Sequence, residues 1–179
     1  MCITKKSPFG FRRAKVDQSA YTYSSIWGGN DQQREEHSTG TIGSKQGWSA
    51  KSNDGGQWIQ MNLGSPKWVD GIVTQGRHQG ALALFCSIYC PESLMYSTGC
   101  CQQWVSRYAV LTSEDGFSWS SQGVYPGNIA WGEGLQYTVF KPVRAQYVRV
   151  VPVSWNQHIT MRVDVLLGDG DSLEPKKSE

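Results

Sequence analysis

Residues 103–119 read QWVSRYAVLTSEDGFSW, and this stretch has the pattern of a β-hairpin. Tyr108, Val110 and Thr112 recur at every second position, which is the period of a half-buried strand. Residues 113–116, SEDG, predict a turn, because aspartate can bond to its own backbone and glycine adopts positive φ without steric cost. The aromatic residues after this turn begin the predicted return strand.

Segments on both sides of the hairpin repeat the alternation. Upstream, residues 55–77 read GGQWIQMNLGSPKWVDGIVTQGR, and downstream, residues 140–168 read FKPVRAQYVRVVPVSWNQHITMRVDVLLG. Apolar side chains recur at every second position in both segments, and glycine, proline, serine or aspartate interrupts the runs. Four or more short strands with such breaks predict an all-β sandwich or barrel.

In this order, the segments resemble the discoidin domain, also called the coagulation factor V/VIII type C domain. The resemblance covers about residues 24–168, and its most specific part is the closing pattern with Pro152, Trp155, Ile159 and Arg162. It implies an eight-stranded, jelly-roll-like β-sandwich of the galactose-binding-domain type. It also implies loops at one end of the sandwich that bind sugars, anionic lipid headgroups or proteins.

The length of 179 residues indicates one domain with short extensions. We expect a flexible N-terminal arm over residues 1–16, the discoidin domain over 17–168, and a polar, disordered tail over 169–179. The formal net charge of +2 is too small to predict a nucleic acid partner.

Several features of the sequence predict a cytoplasmic protein. The basic N-terminal residues lack the apolar core of a signal peptide, and no apolar run approaches the roughly 20 residues of a membrane helix. The odd count of five cysteines fits reduced thiols better than a disulfide framework. Cys2 has no partner near the C-terminal strand for the disulfide of many extracellular discoidin domains, so the chain is more similar to cytosolic discoidin-type lectins. Secretion by an unconventional route stays open.

A segment at about residues 78–102 replaces the short loop that the resemblance implies there. Its apolar side chains must either pack on the rim of the sandwich or meet a partner or a lipid. Its four thiols could bind zinc, but their spacing matches no standard site: Cys86, Cys90, Cys100 and Cys101. Unpaired thiols in a long loop are the simpler interpretation, and a segment foreign to the domain is the alternative.

Six residues are candidate ligand contacts: Trp27, Arg77, His78, Trp155, Asn156 and His158. A sugar needs fixed donors and acceptors beside an aromatic ring, because each hydroxyl must replace its contacts with water. Trp27 lies in a polar, glycine-rich excursion over residues 26–47. Its side chain suits either a sugar ring or a membrane interface. Structural roles are open for the tryptophans, since Trp27 could cover the core and Trp155 could lock the closing strand.

The sequence predicts a binding module without catalytic activity. It contains no metalloprotease, nucleophile-elbow or phosphate-loop motif, and no cofactor is predicted. Calcium stays open through Asp164, although residues 41–44, TIGS, replace the early ligand loop of calcium-binding relatives. Three kinds of partner remain: glycans or glycoconjugates as the first hypothesis, anionic phospholipid membranes as the second, and a protein as the third.

Overall fold

The computed structural model describes residues 10–77, 102–130 and 134–168, and antiparallel strands dominate these ranges. The strands are β1 Arg12–Arg13, β2 Tyr21–Tyr23, β3 Trp48–Ser49, β4 Ile59–Gln75, β5 Trp104–Ser113, β6 Ser120–Pro126, β7 Gln136–Asn156 and β8 Thr160–Leu167. One 3-10 turn, Gln18–Ala20, and one short helix, α1 Asp31–Glu36, interrupt them. The predicted eight-stranded β-sandwich is confirmed.

The two long strands, β4 and β7, each take part in both layers. The first half of β4 pairs with β2 and with the second half of β7, where Met61 faces Tyr21 and Val148. The second half of β4 pairs with β8 and with the first half of β7. Residues 64–66, GSP, predicted a strand break, and the register with β7 shifts between Asn62 and Lys67. One layer is therefore β2–β4–β7–β5–β6, and the other is β1–β8–β4–β7 with β3 beside β8.

The core lies between these layers and follows from the alternation in the sequence. Ile59, Met61 and Leu63 are buried, while the residues between them are partly exposed, as a period of two requires. Trp48 and Tyr108 are the largest aromatic side chains with no exposed surface. The Tyr108 hydroxyl lies 2.7 Å from the Thr138 hydroxyl, so its polar end has a partner inside the apolar core.

Strand β1 lies inside the segment 1–16 that was predicted to be a flexible arm. Arg12 pairs with Leu167 on β8, and the Ala14 N–H donates to the Val165 carbonyl at 2.8 Å. The N–H groups of Lys15 and Val16 donate to the Asp164 carboxylate at 3.1 and 3.5 Å. These bonds attach the second half of the predicted arm to the sheet.

Helix α1 lies in the glycine-rich excursion, where the sequence showed no helical periodicity. The Asn30 side chain accepts from the Gln33 N–H at 2.9 Å and caps its first turn. The helix ends where the His37 N–H donates to the Gln33 carbonyl at 3.1 Å. In the described ranges, no helix is long and apolar enough to cross a bilayer.

Candidate ligand-binding cavity

A cavity of about 180 Å³ opens at one end of the sandwich, among loops that connect the strands. Six residues line it: Trp27, His37, Ser49, Arg77, Gln103 and His158. They come from loops and strand ends that are widely separated in the sequence. Pockets for drug-sized ligands hold roughly 300–1,000 Å³, so this cavity suits one sugar ring or one small headgroup.

Trp27 forms the most open wall of the cavity. Its backbone N–H donates to the Ser49 carbonyl at 2.9 Å, which attaches the loop to β3. Trp27 is 40% exposed, and its indole meets His37 edge-on, with ring centroids 4.8 Å apart. One part of the aromatic surface is therefore fixed by packing, and another part is free to contact a ligand.

Arg77 is held in place by two glutamines. Its Nε and Nη2 donate to Gln46 Oε1 at 3.2 and 3.0 Å, and its Nη1 donates to Gln103 Oε1 at 2.7 Å. These bonds use three of the five guanidinium N–H groups, and among the described residues the other two have no partner. In the same ranges no carboxylate lies within 4 Å of Arg77, so its positive charge is held by neutral oxygens.

A second arginine supports this arrangement from inside the sandwich. Arg162 on β8 has no exposed surface, and its Nε donates to the Gly76 carbonyl at 3.0 Å. Its Nη1 donates to the Ser44 carbonyl at 3.0 Å. The buried guanidinium thus fixes the backbone next to Arg77 and the loop that carries Gln46, because buried polar groups must find partners.

His37 forms the inner wall of the cavity and is only 6% exposed. Its Nδ1 lies 3.0 Å from the Ser49 hydroxyl. Burial, followed by the nearby positive charge of Arg77, lowers the pKa of His37 from 6.5 to about 4. His158 also lowers the pKa of His37, whereas the charge of Glu36 raises it. The His37 ring is therefore neutral at pH 7.

His158 projects from the loop between β7 and β8. Its Nε2 donates to the Ala50 carbonyl at 2.7 Å, which fixes the ring against the loop after β3. Gln157, the residue before it, has a φ of 56°, in the left-handed region. Asn53 fixes this turn by donating to the Gln157 carbonyl at 3.2 Å and accepting from the Ile159 N–H at 2.8 Å.

The structure brings together three of the predicted site residues, Trp27, Arg77 and His158. Asn156 does not line the cavity, and its side chain donates to the Gln102 carbonyl at 2.6 Å. Trp155 packs against the core. The predicted contact at residue 78, the cysteines, the rest of the 79–101 segment and the 169–179 tail lie outside the described residues.

Three cavity residues were not predicted: His37, Ser49 and Gln103. His37 follows a six-residue helix and Ser49 lies on a two-residue strand, and neither element produces a periodic signal. Gln103 is the first residue of the hairpin segment 103–119, just outside the alternating positions that predicted its strand. The sequence signal available was their position in loops next to predicted strands.

Asp164, the calcium candidate, is buried and bonded to backbone N–H groups. Asp164 is 3% exposed, and its Oδ1 accepts a hydrogen bond from the N–H of its neighbour Val165 at 2.8 Å. Its Oδ2 accepts from the Lys15 N–H and lies 3.9 Å from Arg13 Nε. Burial raises the pKa of Asp164, against the opposing effect of these donors. Both carboxylate oxygens of Asp164 thus accept hydrogen bonds from backbone N–H groups, and no cluster of three metal-binding side chains occurs among the described residues.

Comparison with known proteins agrees with this architecture. The chain is 34% identical to lactadherin from Mus musculus over 126 residues, which cover 66% of this chain and 23% of the relative. It thus spans about a quarter of the length of that relative. Discoidin II from Dictyostelium discoideum has a TM-score of 0.64 at 18% identity, covering 89% of this chain and 59% of that one.

A carbohydrate-binding module of family 32, from C. perfringens NanJ in complex with galactose, has a TM-score of 0.55 at 16% identity. It covers 87% of this chain and 98% of that one, and at such identities the two solved structures show the fold. The sequence model of the F5/8 type C domain matches residues 17–89 and 93–165. The chain therefore belongs to the F5/8 type C, or discoidin, domain family.

Proposed function

We propose that this domain is a non-enzymatic module that binds a carbohydrate in the cavity beside Trp27. One observation carries the proposal: two N–H groups of Arg77 are unpartnered among the described residues, next to a half-exposed indole. A sugar ring has an apolar face that can lie on the indole and hydroxyls that can accept from the guanidinium.

The comparisons support a sugar as the class of ligand. Solved structures with this fold include modules from Clostridium perfringens bound to galactose and to GalNAc-β-1,3-galactose. The size of the cavity, about 180 Å³, favours the terminal ring of a glycan over a longer stretch of chain. We therefore expect galactose-type or similar rings at the end of a glycan to be the preferred ligands.

The test uses two binding assays on one sample, a glycan array and flotation with liposomes that contain phosphatidylserine. We expect the wild-type domain to bind glycans, and Trp27→Ala to weaken that binding because the ring loses its aromatic contact. Trp68→Ala is the matched control, since Trp68 is 37% exposed but lies on β4 outside the cavity lining.

Glycan binding that both variants retain would contradict the proposed site. Flotation with liposomes in the absence of any glycan signal would contradict the proposed ligand class and favour an anionic membrane as the partner. Binding to neither would leave a protein as the partner. The Trp68 variant separates a loss of the cavity contact from a general effect of removing a surface tryptophan.

A further inference from the structure

Four hydrogen bonds join the side chains of one wall of the cavity into a line. Arg77 Nη1 lies 2.7 Å from Gln103 Oε1, which also accepts from the Thr160 hydroxyl at 3.0 Å. Thr160 Oγ1 lies 3.0 Å from Ser49 Oγ, and Ser49 Oγ lies 3.0 Å from His37 Nδ1. Thr160 is fully buried and Ser49 is 2% exposed, so these hydroxyls must find their partners within the line.

The chemistry of the groups determines the direction of each bond. A guanidinium can only donate, so the Gln103 atom that faces Arg77 must be the amide oxygen. The Thr160 hydroxyl therefore donates to that oxygen, and its own oxygen must accept the Ser49 proton. A hydroxyl has one proton, so Ser49 in turn can only accept from His37, whose Nδ1 must carry a hydrogen.

His37 lines the cavity and consequently has one ring nitrogen without a hydrogen. The ring is neutral at pH 7, since burial and the charge of Arg77 lower the pKa of His37 to about 4. With hydrogen on Nδ1, its Nε2 is an acceptor, and no described residue bonds to that atom. His158 donates through Nε2 to the Ala50 carbonyl, so in its neutral form its Nδ1 is a second acceptor.

The cavity therefore combines spare donors on Arg77 with an acceptor on His37. A ligand hydroxyl both donates and accepts, so neighbouring hydroxyls can satisfy the arginine and an imidazole together. The oxygens of a phosphodiester only accept, and against His37 Nε2 they would place one lone pair against another. This arrangement favours a neutral polyhydroxylated ring over a phosphodiester headgroup.

We propose that Gln103, Thr160 and Ser49 are positioning residues that hold His37 as a hydrogen-bond acceptor, so that the cavity selects neutral polyhydroxylated ligands over phosphodiesters. The selection rests on the proposed function, whereas the tautomer of His37 is a property of the free protein. Arg77 and His37, at the two ends of the line, are the groups that contact the ligand in this proposal. The three positioning residues act through the polarity of those groups.

The first measurement is the tautomer, read from long-range proton–nitrogen NMR spectra of the ligand-free 179-residue chain at pH 7. We expect hydrogen on Nδ1 of His37 in the wild type. Thr160→Val keeps the shape of the side chain but removes its hydroxyl, so Ser49 is released to donate to His37 and the hydrogen should move to Nε2. Thr160→Ser restores the hydroxyl and should restore the tautomer.

The second measurement is affinity for methyl β-galactopyranoside and for dimethyl phosphate, a phosphodiester without a hydrogen-bond donor. We expect Thr160→Val to weaken glycoside binding roughly tenfold, because a ligand hydroxyl then faces an N–H in place of an acceptor. Thr160→Ser should recover most of the affinity. If Thr160→Val does not fold, Ser49→Ala interrupts the same line and should also shift the tautomer.

Hydrogen on Nε2 of wild-type His37 would overturn the proposal, as would tighter binding of the phosphodiester than of the glycoside. An unchanged glycoside affinity in Thr160→Val, beside a clear loss in Arg77→Ala, would overturn the positioning role and leave carbohydrate binding intact. If the wild type binds no glycoside, the proposed function and the proposed selection of ligands both fail. The tautomer measurement still tests whether Gln103, Thr160 and Ser49 fix the hydrogen of His37.

Discussion

Two arginines in this domain bond to a glutamine in the same way, yet they lie in different surroundings. Arg77 donates from Nε and Nη2 to Gln46 Oε1 at 3.2 and 3.0 Å. Arg149, on β7, donates from the same two atoms to Gln60 Oε1 on β4 at 3.1 and 2.8 Å. The polar pairing alone therefore does not indicate which arginine is available to a ligand.

The groups around each guanidinium make the difference. Arg149 Cζ lies over two tryptophan rings, 4.3 Å from the ring centroid of Trp58 and 4.0 Å from that of Trp119. Two indoles thus contact its guanidinium, and burial lowers the pKa of Arg149. Arg77 borders a cavity. From this contrast we infer that Arg149 stabilises the sheet and that Arg77 serves binding.

The largest effect that tests this contrast is on ligand affinity. Arg77→Ala removes charge-assisted hydrogen bonds, which are worth about 1.5–3 kcal/mol, so glycan affinity should fall roughly ten- to a hundredfold. Isothermal titration calorimetry measures the affinity, and thermal unfolding checks the fold. Unchanged affinity with an intact fold would exclude Arg77 from the site, whereas loss of folding would show that its bonds to the glutamines are structural.

The second effect is on stability. Arg149→Ala removes two cation–π contacts and the bonds to Gln60, and we expect the free energy of unfolding to fall by about 1–3 kcal/mol. Urea denaturation measures it, and glycan affinity should stay as in the wild type. Arg149→Lys is the matched variant, because lysine keeps the charge but loses the planar stacking and the paired bonds. A loss of glycan affinity in either variant would show that Arg149 also contributes to ligand binding.

The contrast also shows what could be predicted from the sequence. Alternation in the segments that became β4, β5, β7 and β8 was sufficient for the sandwich, because each strand buries one face. The same alternation indicated that Arg162 and Asp164 lie on the polar face of β8, opposite its apolar residues. Every residue of β8 is buried, since these two side chains satisfy backbone groups of the loops that cover that face.

The candidate site was less predictable because it is assembled from distant parts of the chain. Ser49 and Thr160 are 111 positions apart, and only the pairing of β3 with β8 brings their hydroxyls together. Asn156 has the donor and acceptor groups of a ligand contact, but its side-chain amide donates to the nearby Gln102 carbonyl. Residue type predicted which side chains could bind a sugar, and long-range packing determined which of them face the cavity.

A smaller effect concerns the pH dependence of stability. The folded-state pKa of His37 is about 4, below the ordinary value of 6.5 that the unfolded chain should show. Between these values the unfolded state binds more protons than the folded state, so the contribution of His37 to stability is complete above pH 6.5 and is lost as pH falls towards 4.

His37→Asn tests this dependence, because asparagine keeps a donor for Ser49 but does not titrate. Urea denaturation at pH 7 and pH 5 should show a larger loss of stability in the wild type than in this variant. All other titratable groups are common to both chains. Equal losses in the two proteins would contradict a lowered pKa of His37.

The smallest expected effect is the influence of the two arginine charges on the pKa of His37. The charge of Arg77 is the second cause, after burial, of the lowered pKa of His37, and Arg149 does not contribute. Arg77→Ala should therefore raise the pKa of His37 from about 4 towards 6.5, but not to it, because burial is the larger cause. Arg149→Ala should leave the His37 pKa unchanged. Titration of the His37 ring by NMR measures both variants, and an equal shift in the two would show that the effect is a general loosening of the fold. A pKa unchanged in Arg77→Ala would place the guanidinium too far from His37 for the two to recognise a ligand together.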